Sequence, residues 1–234
     1  MTSKPNWTIC IATVPDRAYH FDRLMKVLLP QINKYKGQIE VLVFWNNFEY
    51  SLGYLRQAML DEAQGEYINH LDDDDLIPDD YCETILPLLD GVDYIGHKVK
   101  LFDLGKEMPP VYHSLKYNEW SQDDEGYYRG VTHLNPVRTV LARESKFPIE
   151  YNIGEDAQWA SGMKGKCKTE HFIDRFMYTY FHAGDESVAY KYAENGVAEQ
   201  VHPQNYSREP NDTPIRPIIN SKYVRFHSNS TKDK

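Results

Sequence analysis

The sequence predicts an α/β domain built on a mostly parallel sheet, and three observations carry that prediction. Short β-branched runs alternate with amphipathic stretches through the first hundred residues. Each run ends at a turn or a helix-breaking residue. Apolar residues make up 41% of the 234-residue chain, enough to build a core against both faces of a sheet.

Each element follows in order. Thr8 to Ala12 reads as a buried strand broken by Pro15-Asp16. Phe21, Leu24, Met25, Leu28, Leu29 and Ile32 recur at three- and four-residue spacing, which gives a helix with one buried face. Ile39 to Trp45 is a second, continuous strand, ended by Asn46-Asn47. Leu52, Leu55, Met59, Leu60 and Ala63 mark a second helix with Ser51 as its N-cap, stopped at Gly65. Glu66 to Leu71 forms a third strand, a helix from about Pro78 to Leu89 follows, and then a strand around Asp93 to Val99. This βαβαβαβ order calls for parallel strands with helices on both faces. The period is lost over residues 103–135, rich in Gly, Pro, Tyr and charge. Order returns at Val137 to Ala142, at a helix from Glu155 and at a strand from Phe176 to Phe181. The chain divides into residues 5–102, 103–200 and a basic extension, 201–234, within one domain.

Composition excludes several classes. The 35 Asp and Glu outnumber the 26 Lys and Arg, for a net charge of −9. Residues 200–234 hold six basic and three acidic side chains, so that segment is +3 and the remainder −12. An acidic chain is not a dedicated nucleic-acid coat, although one basic strip can still touch DNA. The longest apolar run, Val41 to Trp45, has five residues, against about 20 for a membrane-spanning helix. The N-terminus lacks a signal-peptide core, and Cys10, Cys82 and Cys167 form no CxxC pair. Both features fit a cytoplasmic protein in a reducing compartment. The last eight or so residues read as a disordered end.

Asp72-Asp73-Asp74-Asp75 directly follows the third strand. Four adjacent carboxylates repel one another and need a counter-charge, which Mg²⁺ or Mn²⁺ supplies through oxygen ligands shared with a substrate phosphate. A solvated acidic turn ahead of Pro78 is the alternative. Open parallel sheets bind ligands at the carboxyl edge of their strands, where this cluster falls.

The stretch Gly65-Glu66-Tyr67-Ile68-Asn69-His70-Leu71-Asp72-Asp73-Asp74-Asp75 followed by Pro78 resembles the central signature of family 2 glycosyltransferases of the GT-A fold. The resemblance extends to Thr8–Arg17, to the segment Leu52-Gly53-Tyr54-Leu55-Arg56-Gln57-Ala58, to Gly154-Glu155-Asp156, which matches a "GED" element, and to Phe181-His182. It implies a single GT-A-type, Rossmann-like domain acting on a nucleotide-diphosphate sugar, a UDP-sugar by preference, with Mn²⁺ or Mg²⁺. Asp74 matches the metal-binding residue, Asp72 the aspartate near the donor ribose and metal, and His182 a metal or diphosphate contact. Thr13, Pro15 and Arg17 would lie under the base and phosphates, Asp73 beside them, and Arg56 would offer a fork to a phosphate. Two turns depart from the family pattern. Trp45-Asn46-Asn47-Phe48 stands where an acidic turn reads uracil, leaving Asn46 to contact the base edge. Ala12-Thr13-Val14-Pro15-Asp16-Arg17 replaces the usual first turn.

In the same resemblance Asp156 is the general base of an inverting transfer, on the side opposite the leaving diphosphate. Acidic residues at a helix start also arise simply because they complement the helix dipole. Aromatic residues cluster in the irregular middle, and rings stack on sugars or unpaired bases. Trp120 and Trp159, with Glu155, His133 and Arg138, therefore mark the acceptor side. The acceptor itself stays open among glycan, lipid, protein and hydroxymethylated nucleic acid. A nucleotidyltransferase is the second enzyme reading, weakened because Thr13 to Arg17 holds no glycine to cradle a triphosphate. A non-catalytic nucleotide-sugar-binding protein of the same fold is the third.

Overall fold

The computed structural model describes residues 4–183 and, through their backbone, 223–226. The expectations for the remainder of the basic extension and for the chain's end lie outside the described residues. Among the described residues eleven strands form one sheet. At its centre β1 (Trp7–Thr13) lies between β2 (Ile39–Trp45) and β3 (Tyr67–Asp72), parallel to both. The register pairs Thr13 with Trp45 and Ala12 with Asp72, so three loops leave the sheet side by side at its carboxyl edge.

Strand alternation divides the core in two. Ile9, Ile11, Val41 and Val43 point to one face, where Leu24, Met25, Leu28 and Ile32 of α1 (Ala18–Lys34) cover them. Cys10, Leu42, Phe44 and Ile68 point to the other, against Leu55, Met59 and Leu60 of α2 (Leu52–Glu62). The Ser51 side chain accepts the Tyr54 N–H at 3.1 Å, the cap expected from sequence. The helix expected over 78–89 is shorter: α3 (Tyr81–Ile85) passes into a 3₁₀ turn at Leu86–Leu88 that contains Pro87, whose missing N–H cannot continue an α-helix.

The fourth strand runs further than expected. β4 (Tyr94–Asp103) pairs in parallel with β10 (Glu170–Ala183) along its whole length, and with β5 (Lys106–Glu107) and β6 (Val111–His113) in antiparallel fashion. The stretch without a sequence period is thus built of short strands: β6 is joined by β8 (Tyr127–Arg129), and β8 by β7 (Ser121–Gln122). Strands of two or three residues are too short to print an alternation. β9 (Val137–Arg138) bridges β3 and β4, and α4 (Thr139–Ala142) follows it. β11 (Tyr223–Phe226) adds antiparallel to β2.

Two close approaches set the second half against the first. A side chain on Gly53 would meet the Pro148 carbonyl oxygen at 1.9 Å, so only glycine lets the 148–152 loop cross the start of α2. That loop is then tied down there, the Gly53 N–H donating to the Tyr151 carbonyl at 2.8 Å and the Leu52 N–H to Asn152 Oδ1 at 3.0 Å. It delivers Gly154, at φ 77°, and α5 (Glu155–Gly162) beside α2.

Candidate functional site

The carboxyl edge of β1, β2 and β3 gathers most of the residues singled out from sequence. Arg17, in the 3₁₀ turn Pro15–Arg17 after β1, reaches the aspartate turn after β3. Its Nη1 lies 3.0 Å from Asp73 and 3.4 Å from Asp74. Arg56 points from α2 into the same edge, almost wholly buried, 2.8 Å from Asp72 and 3.0 Å from Glu155. Burial works against both guanidinium charges, but the surrounding carboxylates prevail and hold both arginines protonated. The counter-charge that four aspartates require is therefore supplied in part by the chain itself.

The four aspartates are not equivalent. Asp72 is half-buried, and although desolvation works against its charge, Arg56 first and then His133 hold its pKa far below the ordinary value. Burial pushes Asp73 up to about 7 despite Arg17, and raises Asp75 well above the carboxylate range. Asp75, fully buried, accepts the Phe181 N–H at 2.9 Å, and the Asp72 N–H donates to the Tyr178 hydroxyl at 3.1 Å. The second half of β10 is thus the wall behind the aspartate turn, with Leu76 bridged to Thr179. Asp74 is also raised, by burial and then by the Asp72 charge acting with it.

His133 joins the two halves. Its Nε2 lies 3.8 Å from Asp72 and its Nδ1 3.6 Å from Asp156. The turn that carries it is pinned from both sides because its buried polar groups must be satisfied. The His70 N–H donates to the His133 carbonyl at 2.8 Å, and Asn69 Nδ2 donates to the Leu134 carbonyl at 3.0 Å. Asn135 Nδ2 donates to the Ile95 carbonyl at 2.8 Å, and its Oδ1 accepts the Thr132 hydroxyl at 2.7 Å. Asp156, at the start of α5, is one-third exposed, and its Oδ1 accepts the Ala157 N–H at 2.8 Å. Glu155, next to it, is buried against Arg56.

Thr13 is buried at the end of β1, with Pro15 half-buried in the turn after it. Five other expected site residues stand elsewhere or are already engaged. Trp159 is core: its ring stacks on Phe147 at 5.2 Å and its Nε1 donates to the Ala142 carbonyl, because α5 turns that face inward. Arg138 pairs with Tyr67 at the opposite end of β3, bound to the Val92 carbonyl and near Asp93 and Glu66, so it cannot reach an acceptor beside Asp156. Asn46 spends its amide on its own turn, donating to the Tyr50 carbonyl and accepting the Glu49 and Tyr50 N–H groups. It shapes the turn rather than offering a free base-reading edge. His182 is exposed, with Nδ1 3.0 Å from Asp103. Trp120, also exposed, carries the Arg129 guanidinium at 3.9 Å from its ring centroid. Sequence reading missed Arg129, Tyr178 and the structural use of Asp75; the aromatic run 176–181 was the one available signal for the second.

Asp72 and Asp74 offer carboxylate oxygens at a strand end, a donor type that would suit a hard cation. Among the described residues no three His, Cys, Asp or Glu side chains converge on a common point that could hold a metal ion. Among the same residues no helix is long and apolar enough to cross a membrane.

No protein-family model matches the chain, and no curated protein matches its sequence. Among solved structures, S. aureus TarS is similar with a TM-score of 0.55 and 15% identity, over 75% of this chain and 36% of that one. A shorter form of TarS in complex with UDP-GlcNAc gives 0.52 and 15%, over 75% of this chain and 58% of that one. The same shorter form alone gives 0.53 and 16%, over 75% and 60%. The chain therefore spans about a third to three-fifths of the TarS chains it matches. The likeness shows the fold alone, a mixed α/β domain with a mostly parallel central sheet, as in TarS.

Proposed function

We propose that the chain is an inverting, metal-dependent glycosyltransferase of family 2 type that moves a sugar from a nucleotide-diphosphate sugar, a UDP-sugar by preference, to an acceptor hydroxyl. One observation carries the reading: His133 spans the strand-end carboxylate Asp72 and the more exposed Asp156, so that a donor-side and an acceptor-side acid meet across one side chain. That TarS, a protein of similar fold, forms a complex with UDP-GlcNAc supports a nucleotide sugar as the donor.

Thr13, Pro15 and Arg17 form the floor for the base and phosphates, with Asp72 toward the ribose. Mn²⁺ or Mg²⁺, held by Asp74 and Asp72, would neutralise the departing diphosphate. Arg17 adds a second positive charge on the same side, while the turn ordered by Asn46 closes the pocket beyond β2. Asp156 Oδ2 takes the proton from the acceptor hydroxyl as its oxygen attacks the anomeric carbon and the bond to the diphosphate breaks. His133 and the Ala157 N–H keep that carboxylate oriented. Exposure leaves it open to an acceptor, which the buried Glu155, already engaged by Arg56, is not.

The test is Asp156→Asn. Asparagine keeps the shape and caps a helix nearly as well as aspartate, but accepts no proton at neutral pH. Transfer from UDP-GlcNAc or another UDP-sugar should fall by about 10²–10⁴ while calorimetric UDP affinity in Mn²⁺ stays within about twofold. NMR of the product should show the anomeric configuration inverted. A near-parental rate in the variant, or a retained configuration, defeats the reading.

A further inference from the structure

Arg129 stands apart from the other arginines of residues 4–183. Arg17 and Arg56 pair with carboxylates, Arg175 is held by Asp80, and Arg23, Arg138 and Arg143 donate to backbone carbonyls. Arg129 ends β8 through its own carbonyl, which accepts the Ser114 N–H at 3.0 Å. Its guanidinium makes no ion pair and donates no hydrogen bond to any described residue, although the side chain is half-buried. It lies over the face of Trp120, itself 56% exposed, with Cζ 3.9 Å from the ring centroid. A ring in this position holds the planar fork flat without using any of its five donors.

The surroundings tie this fork to the site. Arg129 lies four residues before His133, which touches both Asp72 and Asp156. Burial lowers its pKa, and the charges of Tyr180 and Asp156 are near enough to act against that shift. Burial first, and then the charges of Asp75, Asp72 and Asp74, raise the pKa of Tyr180, which Arg129 acts to lower. A half-buried guanidinium whose donors are not taken up by any described residue can offer its fork to an oxyanion.

We propose that Arg129, steadied by Trp120, is an oxyanion seat on the acceptor side: the acceptor carries a phosphate or carboxylate that the guanidinium holds while its hydroxyl meets Asp156. The proposal rests on the transferase reading for the word acceptor, but the seat itself can be tested without it. It narrows the acceptor to an acidic molecule, excluding neutral glycans and uncharged hydroxyl compounds.

Ligand-observed NMR titrations at fixed ionic strength would compare matched probes: ribose 5-phosphate against ribose, and glucuronate against glucose, each with and without saturating UDP and Mn²⁺. The first pair reports a phosphate and the second a carboxylate. At least one anionic probe should bind the parent about tenfold tighter than its neutral twin. Arg129→Ala should erase that difference, a loss of about 10–100-fold being usual for a charged hydrogen bond. Arg129→Lys should keep part of it, Trp120→Ala should lose part of it, and UDP affinity should hold in all three. Circular dichroism checks that the variants fold, and the lysine variant decides the matter if alanine does not. Equal binding of anionic and neutral probes overturns the seat, as does an anionic preference that survives Arg129→Ala. A tenfold loss of UDP affinity in Arg129→Ala overturns it too, since the fork would then serve the donor. If UDP fails to bind the parent, the transferase reading falls, and the seat is judged on the arm without UDP.

Discussion

The carboxylates at the end of β3 and the carboxylate at the start of α5 face each other across His133, but they are held in opposite ways. Asp72 and Asp73 are clamped by Arg56 and Arg17, and Asp75 is locked beneath β10 by the Phe181 N–H. Asp156 has one backbone donor, a histidine at 3.6 Å and open solvent. The difference teaches a division of labour. Acids on the sheet side are charge-compensated and rigid, suited to holding a ligand in place. The acid on the helix side stays accessible, suited to exchanging a proton with one.

The largest expected effect sharpens that contrast. Asp156→Asn should cost the catalytic factor given above while changing stability by less than about 0.5 kcal/mol, the usual range for an exposed substitution. A melting temperature that falls steeply in this variant would erase the distinction between the two sides.

Arg56→Met tests the clamp in the other direction. Removing one partner of a buried pair commonly costs about 3–5 kcal/mol, because Glu155 and Asp72 would be left facing each other uncompensated. Urea unfolding at neutral pH should show that loss. A cost under about 1 kcal/mol would mean that water already relieves the clamp, and the sheet side would then be no stiffer than the helix side.

Acid should separate the two kinds of buried group by sign. Burial holds His97, in β4 against His113, down to about 4 against an ordinary value of 6.5. The unfolded chain takes up that proton first, so the contribution of His97 is intact above pH 6.5 and is lost as pH falls toward 4, by about 3 kcal/mol. Asp73, pushed up to about 7, works the opposite way: its contribution is present below the unfolded value near 3.8 and disappears as pH rises through 7. His97→Leu should therefore remove the acid-labile part, making the variant relatively more stable at pH 5 than at pH 7.5 when urea curves are compared with the parent. An identical pH dependence in both would show that His97 is not kept neutral by its burial.

Asn46→Ala should have the smallest effect. Loss of the turn hydrogen bonds should cost about 1–2 kcal/mol of stability. Affinity for UDP should change only as far as the loosened turn allows. A tenfold drop in UDP affinity with no loss of stability would return Asn46 to the role of a base-reading side chain.

The sheet-side half was the more legible in sequence, for a reason visible in its elements. Strands β1 to β3 are buried on both faces and read as continuous apolar runs, while α1 and α2 print a helical period with a capping serine. From their order alone follow the parallel sheet and the location of the aspartate turn at its carboxyl edge. Over residues 103–138 the strands have two or three residues, and their pairing is with distant partners, so no local period was available. Trp159 and Arg138 illustrate the same gap: chemistry suggested the acceptor side, and packing sent one into the core and the other to the far end of β3.

What the sequence by itself determined was therefore the class of fold, the strand end that bears the acids, and the identity of Asp74, Asp72 and Asp156 as the groups to examine. Only the tertiary structure decided which charges neutralise them. Arg17 meets Asp73 across 56 residues of chain, and Phe181 meets Asp75 across 106. His133 reaches both Asp72 and Asp156 because its turn is held by Asn69 of β3 and tied by its own Asn135 to Ile95 of β4. Periodicity reports which face of an element is apolar. It carries no information about which polar side chains from separate elements will share one buried space, and desolvation makes that sharing decide which acids stay charged.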